Sequence, residues 1–520
     1  METCRAPAAR IHETAGEAVK FFLPACLCRV RSTIAHVPAD VYGPLMSRLR
    51  SWLGGFRAAY LPILLTYFCY GASSVTAVAL LYFEKDTLKL APAEAAGIAF
   101  WLGLPWSMKM VAGVASDVYP IAGSRRGAYL VLGALASLAG YAWLATVVQT
   151  KAAYLAASIL VTVGLMIQDV VADALSVEVA RDDEEMGQIQ TLGRMVLLAG
   201  GIGVGYLSGV LAGTIGPRAT FACAMLLPLV VAATVMFIPR DTRPRPVRAD
   251  GGPFGGGKAR LVMLVGLGYA ALGVTLQLAD VPSAEEIVLV VSAALISFLL
   301  ARIGISRAVA VAAVVIFLFR ATPSVGQGYS YWAIDQLGFD QRFLGVLAQV
   351  GSILSLAGLL VFRKTIVRRP VSFTLLWVMV AATLLYLPNI GLFYGLHEWL
   401  GISARTLAFI DTTISAPLAQ LTMVPMLVLI AKTAPAGGEA TMFAIMASLM
   451  NLALSASQLF TQYLNTAFAV TQHDYSNLGR LMIAVGVIGL LPLLALPLLW
   501  KHEQPAPPPS GVLVETRGTT

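Results

Sequence analysis

The chain has 520 residues, of which 58% are hydrophobic and only 12% carry a charge. Because charged residues make up about a quarter of a soluble globular protein, this composition excludes a soluble fold and predicts a membrane protein. A net charge of +8 would suggest a nucleic-acid partner in a soluble chain, but here the basic residues lie in short loops between apolar runs, where orientation in the membrane explains them. We therefore expect no nucleic-acid partner.

Residues 1–57 are expected to form a cytoplasmic N-terminal extension. They mix arginines with Glu2, Glu13 and Glu17 and contain no cleavable apolar segment, so they fit neither a secretory signal nor an acid-poor transit peptide. Membrane-spanning helices are expected only after them.

Apolar runs long enough to cross a membrane begin at residue 58. About 20 apolar residues are needed to cross the roughly 30 Å of hydrocarbon in a bilayer. By this criterion residues 58–238 form an N-terminal bundle of six helices, with spans predicted at 58–83, 94–115, 128–148, 152–178, 188–213 and 219–238. Residues 239–260 are basic and rich in proline and glycine, which predicts a cytoplasmic linker.

The second part of the chain contains further apolar runs. Residues 261–304 are predicted to form an extra helix pair, with spans at 261–280 and 286–304. Residues 305–500 are predicted to form a C-terminal six-helix bundle, with spans at 307–334, 342–362, 371–394, 404–431, 439–466 and 478–500. Residues 501–520 would be a cytoplasmic tail. The total is fourteen spans, or twelve if the extra pair lies in the membrane interface.

Lysine and arginine residues are concentrated in alternate loops, including residues 48–57, the linker and residues 363–369. Positively charged loops stay on the cytoplasmic side of a membrane, so both termini are predicted to be cytoplasmic. We expect a multi-pass protein of the cell (inner or plasma) membrane that functions as a monomer in the lipid bilayer.

The loop after the second span reads GVASDVYPIAGSRRGAY, from Gly113 to Tyr129. An aspartate, Asp117, followed by the pair Arg125 and Arg126 resembles the loop signature of the major facilitator superfamily, an all-α fold of two six-helix bundles that move about a central site. The resemblance implies that these charged side chains form a gating latch on the inner face. Glu439, at the start of a late span, is expected to cap its helix or to contact the same arginines.

Other stretches resemble the folate-biopterin transporter family within that superfamily. IQDVVADALSVEVA, FRATPSVGQGYSYW and FLGVLAQVGSILSLAG look like motifs of its fourth, seventh and eighth helices, and the stretch LAFIDTTISAPLAQLTMVPMLVLIAK is similar to one of its late helices. The resemblance implies secondary active transport of folates or pterins by alternating access, with proton symport and no cofactor. A muropeptide permease or another carrier of organic anions is the alternative.

Two aspartates stand one helical turn apart in the fourth span. Asp169 and Asp173, at positions i and i+4, share one face of the predicted helix, and a charge inside a bilayer needs a partner or a water-filled cavity. Arg194, in the fifth span, is predicted to lie at a matching depth. We predict that Asp173 pairs with Arg194 and that Asp169 faces the cavity and exchanges a proton. A structural tether to the loop charges is the alternative.

Arg320 is predicted to lie slightly past the middle of the span 307–334, just before Pro323 and Gly326, which loosen the helix. A guanidinium there can hold a carboxylate through two hydrogen bonds, and folates carry two carboxylates whereas biopterin carries none. An internal ion pair with Asp411 or Asp169 is the alternative. The predicted binding residues for a flat pterin ring with polar edges and its tail are Tyr70, Ser73, Arg320, Gln327, Asp411 and Gln420.

An enzyme is not expected from this sequence. The five histidines have no metal-binding spacing, and the chain has neither a phosphate-binding loop nor a nucleophile-elbow motif, so we expect no metal and no catalytic residue. The glycine-rich stretch GGIGVG, residues 200–205, lies within a predicted span, where close helix packing is its expected role. The energy for transport would therefore come from a gradient.

Overall fold

The computed structural model of the chain describes residues 57–238, 256–279, 281–303, 306–419, 421, 423–433 and 439–503. These residues form helices joined by short loops, with an isolated β-bridge between Ile121 and Ser124. Most of the predicted N-terminal extension, most of the predicted linker and most of the C-terminal tail lie outside the described residues.

The N-terminal half contains six helices in chain order. They are α1 (Ala58–Thr87), α2 (Pro92–Val118), α3 (Gly127–Thr146), α4 (Lys151–Val179), α5 (Asp183–Ala224) and α6 (Leu226–Ala233). Local sequence explains where two of them begin, because side-chain oxygens cap free backbone N–H groups there. The hydroxyl of Thr150 accepts from the N–H of Ala153, and a carboxylate oxygen of Asp182 accepts from the N–H of Glu185.

The extra helix pair consists of α7 (Gly256–Leu278) and α8 (Ala284–Ile303). The C-terminal half follows with α9 (Arg307–Arg320), α10 (Gln327–Leu337), α11 (Gln341–Arg368), α12 (Val371–Phe393), α13 (Leu396–Trp399), α14 (Ala404–Ala419), α15 (Met423–Thr433), α16 (Glu439–Ala467), α17 (Leu478–Ile488) and α18 (Leu496–Glu503). The short helix α13 lies between the predicted spans 371–394 and 404–431.

The two halves meet along two seams. Helix α2 packs against α16, and α5 packs against α11. In the second seam Gly209 lies opposite Gly345, and a Cβ atom added to Gly345 would be 2.9 Å from the Cα of Gly209, so a side chain at either position would push the helices apart. The extra pair lies over the first seam, because α7 and α8 contact α2 and α8 also contacts α16.

Nine helices of the described part are long and apolar enough to cross a membrane. One of them, Glu184–Phe237, is 54 residues long and contains the fifth and sixth predicted spans, which a non-helical Gly216 with a φ of 81° separates. The predicted spans 307–334 and 404–431 are each broken into two shorter helices. The total of fourteen spans stays a prediction.

Each half buries its own apolar core. Ile63 and Phe100 are fully buried in the N-terminal half, as are Ile316 and Leu375 in the C-terminal half. Charged side chains are costly in such surroundings unless they are paired, so the buried charges of this protein are the first candidates for functional residues.

Candidate functional site

The protein has two polar ends, which we name by their residues. The loop end contains residues 57, 119–126 and 180–183, where α1 and α3 begin and α2 and α4 end. The bridge end is opposite, where α1 and α10 end at Thr87 and Leu337.

At the bridge end, polar side chains join the two halves. The Nζ of Lys85 lies 2.6 Å from Oδ1 of Asp335, and the Nε2 of Gln327 donates to Oε2 of Glu84 at 3.2 Å. Two further hydrogen bonds cross the same boundary, from the hydroxyl of Tyr82 to the carbonyl of Phe339 and from the side-chain amide of Gln472 to the carbonyl of Lys85. These four contacts join the two halves at this end.

At the loop end, two of the charges predicted to form a latch, Asp117 and Arg126, lie together within the N-terminal half. The guanidinium of Arg126 lies 2.6 Å from Asp117 and 2.7 Å from Glu178, and it also donates to the hydroxyl of Ser116 at 2.7 Å. Arg126 is buried and Arg125 beside it is half-buried. The cluster ties the ends of α2, α3 and α4 to one another. Glu178, which the sequence analysis did not select, completes it.

Replacing Arg126 with alanine should therefore weaken the N-terminal half. The change removes the donor shared by Ser116, Asp117 and Glu178, and hydrogen bonds to charged groups contribute about 1.5–3 kcal/mol each to the free energy of unfolding. We expect a loss of about 2 kcal/mol, measured by denaturant unfolding in detergent micelles. The matched control is Arg181→Ala, which removes an exposed arginine from the same end. Equal stability of the two variants would contradict a structural role for the Arg126 cluster.

Asp169 and Asp173 do share one face of α4, but their partner differs from the predicted one. The Nζ of Lys109 lies 3.1 Å from Oδ2 of Asp169 and 3.5 Å from Oδ2 of Asp173. The other carboxylate oxygen of Asp173 accepts from the hydroxyl of Tyr67. Arg194 is exposed and lies over the ring of Tyr67, with its guanidinium carbon 5.8 Å from the ring centroid. The partner of Asp173 is therefore Lys109 and not the predicted Arg194.

The burial of the two aspartates is also the reverse of the prediction. Asp169 is 4% exposed and sits between helices, whereas the side chain of Asp173 is about one third exposed. An ammonium group at 3.1 Å offsets part of the free-energy cost of burying the charge of this carboxylate. The arrangement favours the tether, with Lys109 as the tethering base in place of Arg125 and Arg126.

Lys109 was missed although it carries a clear signal. It lies inside the second span, where any charged side chain needs an explanation. Lys109 also follows a break in the helix. The helical geometry of α2 is interrupted at Met108, three residues after Pro105, and the last ten residues of α2 begin at Lys109. A proline within an apolar span is a readable cause of such an interruption.

Arg320 is the last residue of α9, and α10 begins only at Gln327. The intervening backbone is held by polar side chains of α16: Ser457 donates to the carbonyl of Thr322 at 2.7 Å, and Asn465 donates to the carbonyl of Val325 at 3.1 Å. Non-helical backbone inside a membrane needs such partners. Gly326 takes a φ of 64°, a left-handed conformation that suits glycine and redirects the chain into α10.

The guanidinium of Arg320 is half-buried and unpaired in the part of the chain that the structure describes. Its Nε is buried without a hydrogen-bond partner there. The two carboxylates proposed as alternative partners of Arg320 have other partners. Asp169 pairs with Lys109, and Asp411 accepts a hydrogen bond from the side-chain amide of Asn389 at 2.9 Å. A half-buried cation without a counter-charge is costly, so Arg320 is a candidate ligand for an anion.

The other predicted binding residues are spread over several helices. The ring of Tyr70 stacks on Trp106, with centroids 5.4 Å apart, and the hydroxyl of Ser73 donates to the carbonyl of Tyr70. Gln327 is at the bridge end with Glu84. Gln420 lies outside the described residues. Glu439 is the first residue of α16, as expected for a helix start, and its side chain lies outside the described part.

Solved structures of two transporters have a similar fold. A peptide transporter of the POT type superposes with a TM-score of 0.60 at 18% identity, covering 84% of this chain and 94% of that one. The nucleoside transporter NupG superposes with a TM-score of 0.59 at 12% identity, covering 85% and 99%. The fold is therefore the two-bundle fold of the major facilitator superfamily, in a multi-pass membrane protein.

Sequence comparison then identifies the family. A profile of the BT1 family matches residues 71–505. The folate-biopterin transporter of Synechocystis sp. is 30% identical over 446 residues, covering 84% of this chain and 81% of the relative, and folate transporter 1 of Plasmodium falciparum is 23% identical, covering 84% and 78%. The chain belongs to the BT1 family.

Proposed function

We propose that this chain is a secondary transporter of folates and related pterins that works by alternating access and is driven by protons. The observation that carries the proposal is the half-buried guanidinium of Arg320, which has no partner in the described part of the chain and lies at a break between two helices. The names of the relatives in Synechocystis and Plasmodium falciparum supply the substrate class.

Folate chemistry fits this arginine. A folate carries a glutamate tail with two carboxylates, and a guanidinium binds a carboxylate through two parallel hydrogen bonds. Asp411 and Asn389 lie in the same half, and their paired carboxylate and amide could bind the polar edge of a pterin ring. Tyr70, stacked on Trp106, offers an aromatic face from the N-terminal half.

The closed bridge end supports alternating access. Four polar contacts join the halves there, whereas the ion pairs described at the loop end lie within the N-terminal half. A carrier that opens to one side at a time needs such an asymmetry between its ends. We propose that the loop end faces the cytoplasm, with both chain termini on that side, and that transport requires the bridge contacts to break.

We further propose that Asp169, Asp173 and Lys109 act as a structural ion-pair cluster that holds α2 against α4. The base lies within 3.5 Å of both carboxylates, so each charge is compensated. In this role Arg194, exposed beside Tyr67, is left to contact solvent or substrate in the cavity.

The direct test is uptake of labelled folate by folate-requiring cells that express the chain. We expect accumulation above the level of untransformed cells, faster at an external pH of about 5.5 than at about 7.5 because a proton gradient drives symport. Counterflow in proteoliposomes, in which unlabelled folate inside drives entry of labelled folate, separates a carrier from a receptor. Counterflow with a muropeptide and none with folate or biopterin would instead support the permease alternative.

A further inference from the structure

Glu84 is a carboxylate in a position that the proposed function leaves unexplained. It is only 8% exposed, and it lies at the boundary between the halves, three residues before the end of α1. The chain winds as a π-helix over Phe83–Thr87, and such wide turns within helices frequently mark functional sites.

The hydrogen-bond partners of Glu84 are neutral. The hydroxyl of Tyr154 on α4 donates to Oε1 at 2.8 Å, and the amide of Gln327 on α10 donates to Oε2 at 3.2 Å. No lysine, arginine or histidine nitrogen of the described residues lies within 4.0 Å of this carboxylate. The neighbouring Lys85 is already engaged with two other carboxylates, Asp335 at 2.6 Å and Asp86 at 3.7 Å.

Burying an ionised carboxylate among neutral donors costs more free energy than burying its protonated form. The partners come from both halves, since Tyr154 belongs to the N-terminal half and Gln327 to the C-terminal half. Separation of α1 from α10 would remove Gln327 and admit water, which stabilises the ionised form. The titratable and charged groups that surround Glu84 on its own and the adjacent helices are Lys85, Asp86, Glu94, Tyr154, Arg218, Tyr331 and Asp335.

The charged groups around Glu84 already have partners, so Glu84 is the group whose protonation we expect to change on closure. Lys85 is compensated by Asp86 and Asp335, Glu94 pairs with Lys151 at 3.1 Å, and Arg218 donates to the carbonyls of Thr146 and Val148. Tyr154 is committed to Glu84 itself.

We propose that Glu84 binds one proton when the bridge end closes and releases it to water when that end opens. The inference rests on the proposed alternating access, and it names a group whose protonation controls closure of the bridge end. Because the proton is bound and released at the same end, it regulates the gate and is not the proton that drives accumulation. Protonation converts Glu84 into a neutral side chain that the closed interface accepts, so acid pH favours closure. One proton is taken up per closing event, and no other species is consumed.

The sign of the pH dependence follows from this linkage. The closed state binds the proton more tightly than the open state does, so closure is favoured at low pH and is lost as the pH rises. The closed-to-open ratio should fall by up to about tenfold per pH unit, which is the limit for a single proton.

The test measures the distance across the bridge end without any substrate. Spin labels on unnatural amino acids at Gln149 and Gln336, exposed positions in the N-terminal and C-terminal halves, report it by pulsed electron spin resonance in nanodiscs. In the otherwise native chain the short-distance population should decrease between a pH of about 5 and about 8. Glu84→Gln, which is neutral at every pH, should keep the short distance throughout.

The matched control is Glu94→Gln, which changes a partly exposed glutamate at the same end that pairs with Lys151 at 3.1 Å, and it should respond to pH like the native chain. If Glu84→Gln does not fold, Tyr154→Phe provides a second readout. That variant loses a donor to the ionised carboxylate, so the closed population should disappear at a lower pH than in the native chain.

A distance distribution that does not change with pH in the native chain, or a pH response retained in Glu84→Gln, would overturn the inference. The measurement is independent of the substrate. A pH-dependent gate in a protein that does not transport folate would overturn the proposed substrate and leave the role of Glu84 supported.

Discussion

Replacing Arg320 with alanine is expected to lower kcat/KM for folate uptake by about 30-fold or more, because removing one partner of a buried hydrogen-bonded charge pair costs 2–5 kcal/mol. Arg320→Lys should recover only part of the loss, since an ammonium group cannot form the two parallel hydrogen bonds of a guanidinium with a carboxylate. The measurement is initial uptake of labelled folate over a range of concentrations in proteoliposomes.

Biopterin provides the internal control for this prediction. It has the pterin ring but no carboxylate, so its uptake should change much less than that of folate in Arg320→Ala. The matched protein control is Arg307→Ala, at the exposed first residue of the same helix α9. Unchanged folate affinity in Arg320→Ala would remove Arg320 from the binding site, and an equal loss for both substrates would assign it a structural role instead.

Replacing Lys109 with methionine should destabilise the protein by about 3–5 kcal/mol, the cost of breaking a buried ion pair and leaving a charge uncompensated. Methionine has a similar length but no charge, so Asp169 remains buried at 4% exposure with a negative charge and no base beside it. We expect a lower yield of folded protein and a lower free energy of unfolding in detergent micelles.

A second substitution tests the charge argument directly. In the double variant Lys109→Met with Asp169→Asn the uncompensated carboxylate is gone, so part of the lost stability should return. Lys151→Met is the matched control, because Lys151 is half exposed and its pair with Glu94 at 3.1 Å is a surface pair worth at most about 1 kcal/mol. Failure of the double variant to exceed Lys109→Met in stability would show that the cluster does not act through charge compensation.

The positions of the helices were readable from the sequence because hydrophobicity along the chain is a local property. The predicted span 152–178 corresponds to Lys151–Val179, and 371–394 corresponds to Val371–Phe393. Breaks were harder to read. Pro323 and Gly326 indicated a break within the predicted span 307–334. The side chains that hold the broken backbone are Ser457 and Asn465 of α16, which lie more than a hundred residues away in sequence.

The candidate site was only partly readable. Asp169 and Asp173 stood out as charges within an apolar span, and Arg320 stood out beside helix-breaking residues. Glu84 did not, because the predicted first span ends at residue 83 and leaves Glu84 outside it. Depth along a helix predicted Arg194 as a partner for Asp173, but depth carries no information on which way a side chain points around the helix axis.

The sequence by itself determined that the chain is a membrane protein, where most of its apolar helices lie, and which family its motifs resemble, since all of these are properties of residues close together along the chain. Only the tertiary structure decided which charges are paired. Lys109 and Asp169 are 60 residues apart and Glu84 and Gln327 are 243 apart, so their contacts depend on the rotation of whole helices and the docking of the two halves. The same docking buries Glu84 with neutral partners and leaves Arg320 without a hydrogen-bond partner for its Nε among the described residues. Packing of the apolar faces sets the helix orientations, and these orientations decide where each charged side chain lies.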